Sequence, residues 1–487
     1  MLDRYLAKYN AMPIQVRASL WFFICSFLQK GIATITTPIF TRLLTADEYG
    51  QYSVFNSWLG IVTVFVSLNL YYGVYNQGLV KFSKDRPVFS SSLQGLTFTL
   101  VCGWTLIYAL MSDFWNALFH LTTVQMLCMM ALIWLSAVYN FWSSEQRVEF
   151  QYRRIVQITL TGSVLTPILG IYMVLHAEDK VTARILSTVI VNAVLYSGLF
   201  IWHMRRGKTI YSTHYWRYAL GFNLPLIPHY LSGTLLSSAD RIMIQNMVSA
   251  SAAGIYSLGY SVSQVMTIFN TAMQQTLEPW RYKKIHDGRA ADIAGMAYPT
   301  LMLIAGVNLL LMVFAPELVA LFAPPAYYDA IWIIPPVSMS VYFIFSYGYF
   351  AVFEFYFAKT RFIAVSTMAG AVMNIVLNYI FIGWFGYYAA GYTTLLCYMI
   401  YAGCHYHFMQ RICRENLKGQ KIYDRSKLIK ISLGFMVIGF LIMATYPYLY
   451  LRYGLLGIML LAGLIKRRWL IETIRSVIEA KKIGKNK

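Results

Sequence analysis

Thirteen or fourteen apolar stretches follow one another along this chain, most near the roughly 20 residues that carry a helix across a hydrocarbon core. The short polar loops between them decide the count. With fourteen, the loops alternate between basic and acidic or uncharged to the end of the chain, and an odd number would scramble that pattern. Cytoplasmic loops retain Lys and Arg, whereas acidic residues carry little topological signal. With both termini placed on that face, every Lys and Arg lies there except Arg42, Lys180, Arg184, Arg241 and Arg452 on the other, and Lys30 inside the first stretch. The expectation is an all-α polytopic membrane protein with 14 transmembrane helices and cytoplasmic termini.

Composition agrees, with 58% hydrophobic and only 12% charged residues, whereas a closed barrel would show weak alternating segments. The net charge of +20 reads as a cytoplasmic skirt over anionic lipid, so membrane lipids are expected partners and nucleic acid need not be invoked. All six cysteines fall in spans or on the inner face, which predicts no extracytoplasmic disulfide. The first stretch is too long for a cleaved signal and should be retained as a span.

Sliding the chain against itself by 204 residues aligns the run from Thr45 to Ser53 with that from Ser249 to Ser257, and then pairs Ser57 with Ser261, Thr63 with Thr267 and Phe65 with Phe269. This joins span two to span eight, both running inward, and predicts two six-helix bundles in parallel repeat with two further C-terminal helices. Parallel repeats place a substrate path between the bundles. The expected division is 1–208, 209–415 and 416–487, the last holding two additional helices and a basic tail. In that tail Leu470, Ile471, Ile474, Val477 and Ile478 recur at helical spacing beside Arg467, Arg468, Arg475, Lys481 and Lys482, predicting an amphipathic helix on the inner surface.

Polar residues inside spans mark candidate sites, because lipid accommodates them poorly. Ser257, Ser261, Gln264, Thr267, Thr271, Gln274 and Glu278 follow steps of three and four along span eight. Such a stripe either packs by interhelical hydrogen bonds or lines a cavity. Lys30, with Gln29 alongside, sits near the middle of span one, where a lysine costs about 2.5 to 3.5 kcal/mol. It is either a cavity cation or half of a structural pair. His229 beside Pro228 is a candidate polar group at a helix break. Arg42, Asp240, Arg241, Glu278, Arg281 and Glu354 stand at the ends of spans as gating or ion-pair candidates, with ligand contact open for Asp240 and Arg241 and solvated inner-face charge open for Glu278, Arg281 and Glu354.

Enzyme signals fail. Gly207-Lys208-Thr209 looks like the end of a phosphate-binding loop, but Trp202 stands where its first glycine is required. His405 and His407 are lone imidazoles at a helix end with no constellation for zinc. The outer loops are short, which argues against a polymerase or glycosyltransferase. No catalytic residue, metal or cofactor is expected.

The segment from Lys30-Gly31 through Thr37-Pro38-Ile39-Phe40-Thr41-Arg42-Leu43-Leu44-Thr45-Ala46-Asp47-Glu48-Tyr49-Gly50-Gln51-Tyr52 resembles the opening of Wzx-type polysaccharide flippases of the multidrug/oligosaccharidyl-lipid/polysaccharide exporter superfamily. Ser237-Ser238-Ala239-Asp240-Arg241-Ile242-Met243-Ile244, with Ala253-Gly254-Ile255-Tyr256 after it, is similar to the opening of that family's second half. The resemblance implies movement of an undecaprenyl-pyrophosphate-linked oligosaccharide across the bacterial cytoplasmic (inner) membrane by alternating access, for surface polysaccharide such as O-antigen or capsule. It implies partners among the polymerase and other assembly proteins. A cation-coupled drug or small-metabolite exporter, and a non-transporting scaffold for glycan synthesis, stay open as alternatives.

Overall fold

The computed structural model describes residues 12–483, and among these there is no strand. The helices are α1 (Ile14–Leu43), α2 (Ala46–Ser67), α3 (Gly73–Lys81), α4 (Arg86–Leu110), α5 (Ser112–Phe119), α6 (Thr123–Val148), α7 (Tyr152–His176), α8 (Lys180–Gly207), α9 (Thr213–Asn223) and α10 (Ile227–Met247). They continue with α11 (Ala250–Ser263), α12 (Met266–His286), α13 (Ile293–Val313), α14 (Ala315–Phe322), α15 (Ile334–Tyr356), α16 (Thr360–Phe385), α17 (Ala389–Asn416), α18 (Arg425–Ala444), α19 (Leu449–Ile465) and α20 (Arg467–Ile483). Nine described helices are long and apolar enough to cross a membrane, or ten if α19 and α20, bent by 69°, form one span. The outer faces are apolar: Phe27, Ile35, Val194, Val372 and Trp384 are exposed, as lipid-facing residues must be. This is a multi-pass membrane protein.

Two compact units divide between Ser238 and Ala239. In the first, α8 packs on α6, α7 and α4, and α1 packs on α7. In the second, α15 and α17 form the central pair, flanked by α16, α13 and α12. The segment after the basic linker stays with the first unit. Tyr215 and Ala219 of α9 enter its core, Trp216 Nε1 donates to the Ser92 carbonyl at 3.0 Å, and Asn223 donates to the Leu68 carbonyl at 2.6 Å.

Local chemistry explains the helix starts. Thr45 Oγ1 accepts from the Glu48 amide at 3.2 Å while Glu48 Oε2 accepts from the Thr45 amide at 2.7 Å, a reciprocal cap. Ser249, its partner in the 204-residue shift, likewise caps α11 by accepting from the Ala252 amide at 3.1 Å. Such a cap is worth about 1 kcal/mol.

The helix break expected beside His229 in span seven is present: α9 ends at Asn223, a tight turn with Pro225 follows, and α10 starts before Pro228, since neither proline can donate to the preceding turn. Two other expectations need correction. Span eight is also broken, at Gln264–Val265, so its polar stripe belongs to two helices. The tail helix α20 is not simply a lipid-surface helix. It packs on α12 and α13 through buried Thr473, Val477 and Ala480, leaving Ile471, Ile474 and Ile478 exposed. The side chains of Lys481 and Lys482 lie outside the described residues.

Candidate functional site

Within the first unit, α1, α2, α7 and α8 surround a cavity of about 500 Å³. Gln29, Lys30 and Thr36 line it from α1, Thr159, Ser163 and Thr166 from α7, and Arg184, Ser187, Thr188 and Asn192 from α8. Helix spacing accounts for this, since 29, 33 and 36 share one face of α1 and 159, 163 and 166 one face of α7. Both charged lining residues are cations, and no carboxylate lines the cavity. Arg184 lies against two rings, its guanidinium carbon 3.4 Å from the centre of Phe40 and 4.0 Å from that of Tyr52. Its Nη1 is buried without a hydrogen-bond partner. Aromatic faces on both sides fix the orientation of this guanidinium at the cavity wall. Arg184 was missed in the sequence because its place near a span end reads as loop charge. Arg42 is turned away, donating to the Pro38 carbonyl at 2.9 Å.

The candidates of span eight separate. Ser261 and Thr271 are exposed and Ser257 is buried with no partner for its hydroxyl. Gln264 is half-buried at the helix break. Gln274 Nε2 donates to the Phe345 carbonyl at 3.0 Å and its Oε1 accepts from Arg281. Arg281, which the sequence leaves as a gating or solvated charge, is only 2% exposed; it donates to the Gly348 carbonyl at 2.9 Å and sits over the Tyr349 ring. Within the stripe Gln274 is therefore packing between α12 and α15. Glu278 is exposed. His229 is half-buried near the break before α10, its Nδ1 without a partner.

Asp240 is fully buried, accepting from Tyr256 Oη at 2.6 Å, Asn378 Nδ2 at 2.8 Å and Thr394 Oγ1 at 3.2 Å. Thr393 in turn donates to Asn378. The neighbouring Arg241 lies over the Tyr260 ring, 4.3 Å from its centre.

Two pairs escaped sequence reasoning. In the first unit Glu145 of α6 meets His203 of α8, Oε2 to Nε2, at 2.8 Å, and both are almost fully buried. Arg206 reaches the other carboxylate oxygen at 3.2 Å, and the Gln94 amide contacts Nδ1 at 2.7 Å. In the second unit Glu354 of α15 accepts from His405 Nδ1 of α17 at 2.7 Å, both 0% exposed. This corrects two expectations, Glu354 as solvated charge and His405 as a lone imidazole. Among the described residues no group of three or more His, Cys, Asp or Glu could hold a metal ion.

With this geometry in hand, the comparisons decide the family. Residues 39–290, more than half of the chain, match the model of the polysaccharide biosynthesis protein family. The chain belongs to that family. The stretch matched contains the capped start of α2 and the Asp240 segment, the two motifs that carry the likeness to polysaccharide flippases, and that likeness is upheld. Among relatives from Haemophilus influenzae, "Lsg locus putative protein 1" is 22% identical over 381 residues, covering 73% of this chain and 88% of its own. An "uncharacterized membrane protein" is 20% identical over 383 residues, covering 74% and 88%. The fold is similar to lipid II flippase MurJ in an inward closed conformation, with TM-score 0.68, 13% identity, and coverage of 93% of this chain and 99% of that one. It is also similar to an inward-facing multidrug resistance MATE family transporter of the MOP superfamily, with TM-score 0.63, 14% identity, and coverage of 80% and 96%. At these identities the likeness concerns the fold, which is that of transporters.

Proposed function

We propose that this protein is a flippase that moves undecaprenyl-pyrophosphate-linked oligosaccharide units across the cytoplasmic membrane by alternating access, for surface polysaccharide biosynthesis. The observation that carries this reading is the cavity of the first unit, which offers Lys30 and the spare donor of Arg184 amid Ser, Thr and Asn groups. A pyrophosphate needs cations, and glycan hydroxyls need neutral hydrogen-bonding side chains. In a low-dielectric site these contacts are far stronger than in water. Exposed Ser261 and Thr271 and half-buried Gln264 are the second unit's candidates for glycan contact. Membership of the polysaccharide biosynthesis family supports the pathway.

In this reading fourteen spans cross the inner membrane with both termini cytoplasmic. Residues 1–208 and 209–415 form two repeated bundles, and 416–487 supplies two further helices and the tail. Polymerase and other assembly proteins are the expected partners. The likeness to a multidrug transporter favours a second reading, a cation-coupled drug exporter. A cationic drug would call for a carboxylate, and the cavity of the first unit presents the opposite sign.

Deleting the gene tests the proposal: surface polysaccharide should be lost while its lipid-linked precursor is still made and accumulates in the inner leaflet. Purified protein that moves drugs in liposomes but never a lipid-linked oligosaccharide would overturn it.

A further inference from the structure

The two buried Glu–His pairs occupy corresponding places, each joining the end of one long helix to the helix after next, yet they differ in charge balance. In the first unit Arg206 reaches Glu145 as well, so a permanent cation offsets the carboxylate. In the second, the only cation within ion-pair distance of Glu354, among the described residues, is His405 itself. Glu354 Oε2 and His405 Nε2 are both buried without a hydrogen-bond partner. With a neutral imidazole the pair carries a full negative charge in a dry site, which is costly; adding one proton brings it to zero.

The surrounding groups do not supply that balance. Tyr347 of α15 and Tyr401 of α17 flank the imidazole, their ring centres 5.3 and 4.3 Å from it, and Phe362 covers it from α16 at 5.5 Å. From α12, Arg281 is committed to Gly348 and Gln274, and His286 is exposed beside Tyr356. Lys359 and Arg361 before and on α16, and Arg425 of α18, are exposed. Tyr298 Oη of α13 accepts from the Asp424 amide at 2.7 Å, and α11 contributes Tyr256 and Tyr260 beside Asp240 and Arg241.

We infer that Glu354 and His405 form a proton-binding site whose occupancy is coupled to transport. One proton enters at Nε2 or Oε2, no covalent bond to a heavy atom changes, and the same proton leaves when α15 and α17 separate enough to admit water. The coupling rests on the transport reading; the proton site does not. Imidazole is the side chain whose charge ordinarily changes between about pH 5 and 8.

The test is infrared difference spectroscopy of the full-length protein in phospholipid vesicles, stepped across that interval without substrate. Carboxyl and imidazole bands should change together, vanish in both Glu354→Gln and His405→Gln, and persist in Glu145→Gln. Bands that survive in a folded Glu354→Gln or His405→Gln protein overturn the site, and either variant alone suffices if the other fails to insert. For the coupling, export by Glu354→Gln should lose its dependence on an imposed pH gradient; retained dependence overturns that part. Should gene deletion leave the lipid-linked precursor unaffected, the flippase reading falls while the spectroscopic result stands or falls by itself.

Discussion

Replacing Lys30 by Gln keeps a polar, slightly shorter side chain on α1 and removes one of the cavity's two charges. The cost follows from size. A cavity of about 500 Å³ has the volume of a sphere about 5 Å in radius, so a ligand at its centre lies about 5 Å from each lining charge. At an effective dielectric of about 20, one pair of unit charges at that distance interacts by about 3 kcal/mol. Solvent in the open cavity reduces this, and a loss of about 2 to 3 kcal/mol corresponds to roughly 30- to 100-fold weaker binding of the anionic headgroup. Lys30→Gln should therefore nearly abolish export, and Lys30→Arg, which keeps the charge, should retain part of it. The assay is surface polysaccharide per cell with membrane protein matched by immunoblot, repeated as flipping of lipid-linked oligosaccharide in liposomes. Parental transport by Lys30→Gln would refute the headgroup assignment and leave the lysine a structural residue.

Reporter fusions near Lys84, Lys208, Lys284 and Lys427 should report a cytoplasmic location and those near Asp47, Asp113, Glu178 and Glu317 an exported one; a robustly exported fusion at Lys208 would sink the six-plus-six arrangement. Gly207→Ala would place its Cβ 2.0 Å from Ser91 Oγ and 2.1 Å from the Pro87 carbonyl, and such overpacking should destabilise the first unit by about 1 to 3 kcal/mol, read as a lower melting temperature in detergent. Lys284 donates to Asp292 at 2.7 Å and Arg289 lies equally close, which holds the Asp292 carboxyl below its ordinary 3.8. A lowered folded value means that this loop clamp is present above the ordinary value and is lost as pH falls through the lowered one. Asp292→Asn should thus speed amide exchange across 284–292 at neutral pH, whereas the parent at about pH 5 should keep its protection.

Apolar length and loop charge made the helices legible, whereas the reciprocal cap of Thr45 and Glu48 that opens α2 lies ahead of the apolar stretch and was seen only in the structure. What escaped has physical causes. The break between α9 and α10 is marked by Pro225 and Pro228, but the break at Gln264–Val265 has no proline or glycine, so nothing in the local sequence marks it. The inner span ends read as solvated, which hid Arg281 and Glu354, and Asp240 at an outer end read as a gate or ligand contact, which hid its neutral donors. Burial there depends on neighbours distant in sequence: Asn378 and Thr394 for Asp240, and His405 for Glu354. Gln274 has the spacing of a cavity residue, and only the carbonyl of Phe345 opposite it shows that it is packing.

The contrast between the units argues for a division of labour. The first unit has a cavity bearing two cations and a carboxylate–imidazole pair already offset by Arg206; in the proposed reading the cavity cations receive the negative headgroup. The second buries Glu354 with nothing but His405 against it, and buries Asp240 among neutral donors. Buried charge that is only partly offset responds most to solvent entry, because hydration then changes its free energy most. In the proposed reading, a transporter that must sense its own opening places such a group where packed helices part, which is where the second unit holds Glu354 between α15 and α17.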